Sequence, residues 1–351
     1  MLTPDVALIL ALDGLGNGAV YLLAGLGLVL IFSVTRVVFV PFGDVAAIGA
    51  LSLAAMEAGR LPPTIGLVAT LAVLAAAVEG IGRWRSGRLQ GLGRAVVGWG
   101  LLPLIPCAAA WLLAGSSSTA VRVVVALGLV LPIAPLIARI ALQPIADGSV
   151  LVLLIVSLAL HFLLSGLALL FFGPEGFRIA PLLAGTVRLG AGLAIAAQQL
   201  LMIGAAGLLA LLLYLLFEHT RIGKVLRATA VNRTGARLMA IRPARAALFA
   251  WLIASLMAGV IGVLIAPVMT VYYDSGFLIG LKAFVAAMIG GLVAYPLTAL
   301  GAMAVGIVES FASFWSSALR DVLVFSLLIP VLMLRSWLAP HGDEPEEDLD
   351  Q

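Results

Sequence analysis

The chain has 351 residues, of which 63% are hydrophobic and 11% are charged, and its mean hydropathy is +1.20. A soluble domain is about half apolar and about a quarter charged, so this composition excludes a soluble globular protein. The net charge is +3, and the single cysteine excludes an internal disulfide. Because a membrane helix needs about 20 apolar residues, we predict an all-α fold, a polytopic bundle of transmembrane helices.

Eleven apolar runs, separated by charged residues, prolines or glycine clusters, mark the candidate spans. In chain order they are 6–34, 37–57, 64–82, 95–114, 119–141, 148–172, 191–217, 245–272, 277–294, 298–317 and 320–338. We predict about 9–11 spans, because 277–294 is short and suits a re-entrant segment as well as a span. Residues 1–338 are expected to form a single transmembrane domain.

The basic residues predict the orientation of the bundle. With the N-terminus outside, 14 lysines and arginines fall on the cytoplasmic side and 5 on the outer side. Cytoplasmic loops of membrane proteins carry such an excess, so we expect an external N-terminus and a cytoplasmic C-terminus. The tail 339–351 carries six acidic residues, and we expect it to be a solvated cytoplasmic end.

The segment 219–245 is the most unusual part of the chain, with seven basic residues and no acidic one. Its apolar residues recur with the spacing of short amphipathic helices lying at the membrane surface. Asn232 and Thr234 are candidate N-caps of a short helix that ends near Ala240. Pro243 suits the first turn of the next membrane helix.

Two interpretations of this segment remain open. It is either a loop that only sets topology and contacts anionic lipid, or a docking element for a cytoplasmic partner. Small residues at its centre, among them Gly235 and Ala236, favour docking, because they let a short helix lie in a groove of another protein.

Ionisable residues inside the apolar runs need a physical reason to be there, because a charge in the bilayer is costly, and four of them are the most informative. They are Asp13, Asp44, Lys282 and Glu309. Asp44 follows a Pro-Phe-Gly sequence at 41–43, where a broken helix would expose backbone to a cavity. For Glu309 two roles are open: an internal tether neutralised by Lys282 or an arginine, and a polar lining of a translocation path.

Small residues spaced four apart are expected to be helix contacts rather than substrate contacts. These pairs are Gly14/Gly18, Ser255/Gly259, Ala258/Gly262 and Ala302/Gly306.

The sequence contains no G-x-x-x-x-G-K-[ST], H-E-x-x-H or C-x-x-C motif. We therefore expect neither a nucleotide site nor a metal site in this chain, and we predict no catalytic, cofactor-binding or metal-binding residue. His161, the only histidine within an apolar run, is expected to be packed and hydrogen-bonded rather than catalytic. We predict that the chain is not an enzyme.

Four stretches carry a resemblance to a known family. They are L-D-G-L-G-N-G-A at 12–19 with Tyr21 and Gly25-Leu26-Gly27, F-G-D-V at 42–45 with Gly49, R-I-G-K at 221–224 through Ala236 to Ala240-Ile241, and G-L-K-A-F at 280–284 through Gly290-Gly291 to G-I-V-E-S at 306–310. In order and spacing they resemble the integral membrane permease of bacterial ABC importers for branched-chain and other hydrophobic amino acids. The resemblance covers roughly 12–57 and 139–338, and about 80–138 is expected to be an insertion of two spans.

The chain departs from the family's pattern at three places. The family usually has an acidic pair where Val231 and Asn232 stand, a glycine at Ala240 and a histidine at Phe42.

The resemblance implies a function, a location and a set of partners. The expected function is ATP-driven import of branched-chain or related hydrophobic amino acids or amides across the bacterial inner membrane. The expected partners are cytoplasmic ABC ATPase subunits that bind the ATP, a second permease subunit or a copy of this chain, an external solute-binding protein and membrane lipid, but no nucleic acid. The segment 219–245 would be the cytoplasmic coupling loop, contacting the ATPase through Asn232, Gly235, Ala236, Ala240 and Ile241.

An ion-coupled secondary transporter and a polytopic membrane enzyme are the alternatives. A secondary transporter usually has internal repeats with matched broken helices, and no convincing repeat is found here. A membrane enzyme needs His, Asp or Glu clustered at one interface, whereas the acidic residues of this chain are scattered.

Overall fold

A computed structural model of the chain describes residues 3–85, 92–113, 115–146, 148–190, 193–317 and 319–338. Within these residues it has sixteen α-helices and one β-hairpin. The helices are α1 (Pro4–Thr35), α2 (Phe42–Glu57), α3 (Thr64–Arg85), α4 (Leu92–Val96), α5 (Ile105–Leu113), α6 (Thr119–Val130), α7 (Ile133–Ile137), α8 (Val150–Phe172), α9 (Ala197–His219), α10 (Arg221–Val231), α11 (Arg233–Leu238), α12 (Pro243–Ile265), α13 (Ser275–Ile289), α14 (Tyr295–Trp315), α15 (Leu319–Ser326) and α16 (Leu328–Leu338). The tail predicted at 339–351 lies outside the described residues.

In the described part of the chain, eight helical segments are long and apolar enough to cross a membrane, which confirms the predicted polytopic helical bundle. They are Pro4–Thr35, Thr64–Arg85, Gly93–Leu113, Thr119–Ile145, Val150–Phe172, Ala197–His219, Pro243–Ile265 and Tyr295–Trp315. Gly93–Leu113 and Thr119–Ile145 contain short π and 3-10 turns beside Pro103 and Pro144. A proline has no N–H and clashes with the preceding turn, so it interrupts the regular α-helix there.

The other three predicted runs form shorter or broken helices. Run 37–57 gives α2, which begins only at Phe42 and has 16 residues, and run 277–294 gives α13, which has 15. At 1.5 Å per residue α13 is about 22 Å long, shorter than the ~30 Å hydrocarbon core of a bilayer. Run 320–338 divides into α15 and α16.

The start of the run predicted at 191–217 is not helical. Residues Thr186–Gly190 (β1) and Leu193–Ala196 (β2) pair as an antiparallel hairpin, and α9 begins at Ala197. The buried side chain of Gln198 accepts hydrogen bonds from the backbone N–H groups of Leu182 and Leu183 and donates one to the Leu264 carbonyl. The helix prediction for 193–196 was therefore wrong, because these residues pair with Thr186–Gly190 as a strand instead of extending α9.

Helix α1 occupies the centre of the bundle and packs against α9, α12, α13 and α14. It approaches α14 closely, because a Cβ atom on Gly306 would lie 2.3 Å from the Gly18 nitrogen. Helices α2 and α12 are similarly close, since a Cβ on Gly262 would lie 2.2 Å from the Ala46 carbonyl oxygen. The predicted helix contacts at these small residues are thus confirmed.

The chain between α1 and α2 is a break inside the bundle. Helix α1 ends at Thr35, Arg36 has a left-handed φ of 61°, and α2 starts at Phe42. We call residues 36–41 the connector. Helix α13 begins against the start of α2, because a Cβ on Gly43 would overlap the Gly276 carbonyl. Two helix N-termini therefore meet within the bundle, beside the position of Asp44.

Candidate coupling surface and buried polar clusters

The segment 219–245 folds into two short helices whose N-termini are capped by side chains. The hydroxyl of Thr220 accepts from the Gly223 N–H at 3.0 Å, and the amide oxygen of Asn232 accepts from the Gly235 N–H at 2.9 Å. The predicted N-cap at Asn232 is therefore present, whereas Thr234 lies inside α11. An asparagine satisfies the free N–H groups of a helix start as an aspartate would, so this departure from the family pattern keeps the cap and loses the charge.

The C-terminus of α11 explains why the family usually has a glycine at the position of Ala240. Ala240 has a φ of 60°, its N–H bonds to the Arg237 carbonyl, and the Ile241 N–H bonds to the Ala236 carbonyl at 3.0 Å. This is the Schellman pattern, in which the residue after the helix adopts a left-handed conformation that glycine reaches without steric cost. The alanine is therefore strained at this position.

Replacing Ala240 with glycine is expected to stabilise the end of α11 by about 1 kcal/mol, because the left-handed conformation costs other residues 1–2 kcal/mol. Hydrogen exchange of the Ile241 N–H should slow about fivefold, which is that free energy converted by RT. Ala228→Gly is the matched control. It lies within α10, where glycine weakens a helix interior, so it should speed hydrogen exchange of the α10 amides instead of slowing it. Equal exchange of Ile241 in the wild type and the Ala240→Gly variant would show that no strain is relieved.

An open groove of about 480 Å³ runs along α10 and α11. Four of the five predicted coupling residues line it: Asn232, Gly235, Ala236 and Ile241. Val231 and Met239 also line it and are 80% and 78% exposed. Exposed apolar side chains grouped on a basic surface are typical of an interaction site. The role of these residues in coupling stays a prediction.

A buried ionic cluster joins four helices. Lys282 Nζ of α13 lies 2.6 Å from Glu309 Oε1 of α14 and 2.8 Å from Asp321 Oδ1 of α15. The hydroxyl of Tyr21 on α1 donates to Glu309 Oε2, and Arg320 Nε lies 3.7 Å from Glu309 Oε1. Lys282 and Glu309 are each 5% exposed. The geometry therefore brings together the residues of the proposed tether and adds Tyr21, Asp321 and Arg320, which sequence reasoning did not assign to it.

A second buried pair lies where α2 and α13 begin. Asp44 Oδ2 is 2.6 Å from His161 Nδ1 of α8, and the His161 ring stacks on Phe277 with 4.5 Å between centroids. Asp44 is the third residue of α2, where the positive end of the helix dipole favours a carboxylate. The sequence marked both residues as buried ionisable groups, but they are 117 residues apart, so their pairing had no local signal.

Asp13, by contrast, lies near the start of α1 at an exposed position. Its carboxylate accepts from Ser310 Oγ at 3.1 Å and lies 3.4 Å from the side-chain amide of Gln199. Across the described ranges, no group of three or more His, Cys, Asp or Glu side chains has the arrangement of a metal site.

The helices and the groove define a multi-pass membrane protein with a surface suited to a protein partner, and sequence comparison identifies its family. The model of the family "Branched-chain amino acid transport system / permease component" matches residues 10–332. The chain belongs to this family and is a membrane-spanning permease subunit of the ABC importer class.

Three relatives illustrate the similarity. The chain is 30% identical to the high-affinity branched-chain amino acid transport system permease protein BraD of Pseudomonas aeruginosa over 205 residues, which are 57% of this chain and 67% of BraD. It is 29% identical to LivH of Escherichia coli over 204 residues, 56% of this chain and 66% of LivH. A probable LivH of Methanocaldococcus jannaschii is 31% identical over 134 residues, 37% of this chain and 42% of that protein. The alignments thus span about two thirds of BraD and LivH. No solved structure matches the chain.

Proposed function

We propose that this chain forms part of the translocation path of an ATP-driven importer for branched-chain or related hydrophobic amino acids or amides. The solute class comes from the family and from the names of BraD and LivH. The location would be the inner membrane, with an external binding protein delivering the solute and a second permease subunit, or a copy of this chain, completing the path. Transport, rather than catalysis by the chain itself, is the expected activity.

The observation that carries the proposal is the groove along α10 and α11. It combines basic residues with two apolar side chains that are almost fully exposed, Val231 and Met239. Burying a side chain of this size against a partner contributes about 1.5–3 kcal/mol. Because the sequence has no phosphate-binding motif of its own, the expected occupant is a cytoplasmic ABC ATPase that supplies the energy.

A loop that only sets topology does not need such a groove, because positive charge alone sets topology. The folded caps at Thr220 and Asn232 and the Schellman turn at Ala240 give the segment a defined shape. A defined shape with exposed apolar side chains favours a protein partner over lipid headgroups.

The test is a charge placed in the groove. Met239→Asp, reconstituted with its ATPase and binding protein, is expected to lower ATP-dependent uptake at least about tenfold, because docking would then bury an unpaired carboxylate. Ala236 is a poorer site for this test, since it is only 4% exposed and a larger side chain would displace α11 itself.

Leu238→Asp is the matched control. Leu238 is the neighbouring residue and is 84% exposed, but it does not line the groove, so uptake should stay close to the wild-type rate. Wild-type uptake by the Met239→Asp variant would contradict docking at the groove. Uptake driven by a proton gradient without any ATPase would instead establish the secondary transporter.

A further inference from the structure

Helix α11 packs against α12 and is hydrogen-bonded to α1 through the side chain of one arginine. Among its six residues, Arg233–Leu238, Ala236 alone is buried. The guanidinium of Arg233 reaches across to the carbonyl oxygen of Val34 and donates to it from Nη2 at 2.8 Å and from Nε at 3.3 Å. These two donors tie α11 to the Val34 carbonyl of α1, 199 residues earlier in the chain.

The acceptor lies at a point where such a bond is strong. Val34 is in the last turn of α1, whose final carbonyl groups have no partners within the helix. A cation at this end of a helix is favoured by the helix dipole, and the planar guanidinium presents two donors in a fixed geometry. The bond therefore links α11 directly to the last turn of α1.

The end of α1 leads directly into the connector. Thr35 accepts from the Val37 N–H through its hydroxyl, and Arg36 takes the left-handed conformation that starts the break. Further along, the Val40 N–H donates to the Ser157 hydroxyl of α8 at 2.9 Å. The connector therefore follows the turn of α1 that α11 contacts, and its other end is held by α8.

Beyond the connector lies the start of α2. Phe39, still within the connector, packs edge-on against Trp251 of α12 with 4.8 Å between ring centroids, and Asp44 in α2 pairs with His161. The backbone of α2 touches that of α13 at Gly43 and Gly276. A close-packed interior transmits displacement rather than absorbing it, so movement of the connector would reach both helix starts.

The space around the arginine permits such movement. A cavity of about 290 Å³ lies between α11, the end of α1 and the start of α12, and its lining includes Val34, Thr35, Arg233 and Trp251. The side chain of Arg233 lines this cavity where it reaches the end of α1.

We propose that Arg233 is the positioning residue that transmits displacement of α11 to the connector, and through it to the meeting point of α2 and α13. The proposal rests on the proposed function, because the displacement would come from an ATPase docked at the groove. In this role Arg233 would not be needed to bind the ATPase. It would be needed to convert ATP hydrolysis into movement of the solute.

The experiment measures uptake and ATP hydrolysis in the same proteoliposomes, with the chain assembled with its ATPase and binding protein. Arg233→Ala is expected to copurify with the ATPase and to hydrolyse ATP, while the solute transported per ATP falls at least about tenfold. Arg233→Lys keeps the charge but loses the fixed two-donor geometry, so its ratio should be intermediate between those of the alanine variant and the wild type. Arg245→Ala, at an exposed position in the first turn of α12 that does not line the cavity, should leave the ratio at the wild-type value.

A wild-type ratio in the Arg233→Ala variant would overturn the proposal, and so would loss of ATPase copurification in that variant, which would make Arg233 a docking contact. If the alanine variant does not insert stably, the solute transported per ATP by the Arg233→Lys variant decides. At normal abundance of that variant, a wild-type ratio contradicts a geometric role for Arg233, and an intermediate ratio supports it. Failure of the wild-type chain to bind any ATPase would contradict the proposed function itself, before a variant is compared.

Discussion

Lys282→Met is expected to destabilise the protein by about 3 kcal/mol, because it leaves the buried carboxylate of Glu309 without its nearest cation. Glu309→Gln should cost less. The amide still accepts the Tyr21 hydrogen bond, and Lys282 keeps Asp321 at 2.8 Å. Thermal unfolding of the detergent-solubilised variants measures this order, with the lowest midpoint expected for Lys282→Met.

Combining the two substitutions should recover stability relative to Lys282→Met alone, since contacting residues in one network couple by about 0.5–3 kcal/mol. The control pair is Glu218 and Arg227, which lie 2.8 Å apart but are 50% and 53% exposed. Their cycle should give less than about 1 kcal/mol. Additive effects at Lys282 and Glu309 would contradict the tether. A Glu309→Gln variant of normal stability with an altered uptake rate would favour the polar lining of a path.

Gly306→Ala is expected to cost about 3 kcal/mol or more. The new Cβ would lie 2.3 Å from the Gly18 nitrogen and 2.4 Å from the Gly14 oxygen. Both are backbone atoms, so α1 and α14 would have to separate, and overpacking of this kind is destabilising. The measurements are the unfolding midpoint and the fraction of protein that elutes as a single species from detergent.

Two further glycines make this a graded test. A Cβ on Gly18 would lie 3.1 Å from its nearest neighbours, the Ala302 oxygen and Met303, so Gly18→Ala should cost less than Gly306→Ala. A Cβ on Gly204 of α9 would meet no atom within 4 Å, so Gly204→Ala should be neutral or slightly stabilising. Equal stability of the Gly306 and Gly204 variants would mean that α1 and α14 do not approach as closely as described.

Much of the architecture followed from the sequence, because in a bilayer each helix satisfies its own backbone hydrogen bonds and only apolar residues face lipid. Both requirements are local, so the eight long helices coincide with apolar runs. The cap at Asn232 was equally local, since a cap depends on a few neighbouring residues. The orientation of the bundle depends on its basic residues and stays a prediction.

The tertiary structure decided what depends on distant partners. The pairing of Asp44 with His161, the contact of Lys282 with Asp321 and the bond from Arg233 to the Val34 carbonyl join segments far apart in sequence. The hairpin residues 193–196 are apolar enough for a membrane helix, yet contacts outside the run set their conformation. A buried charge requires a partner but does not specify which one, because the choice is made by the packing of the helices around it.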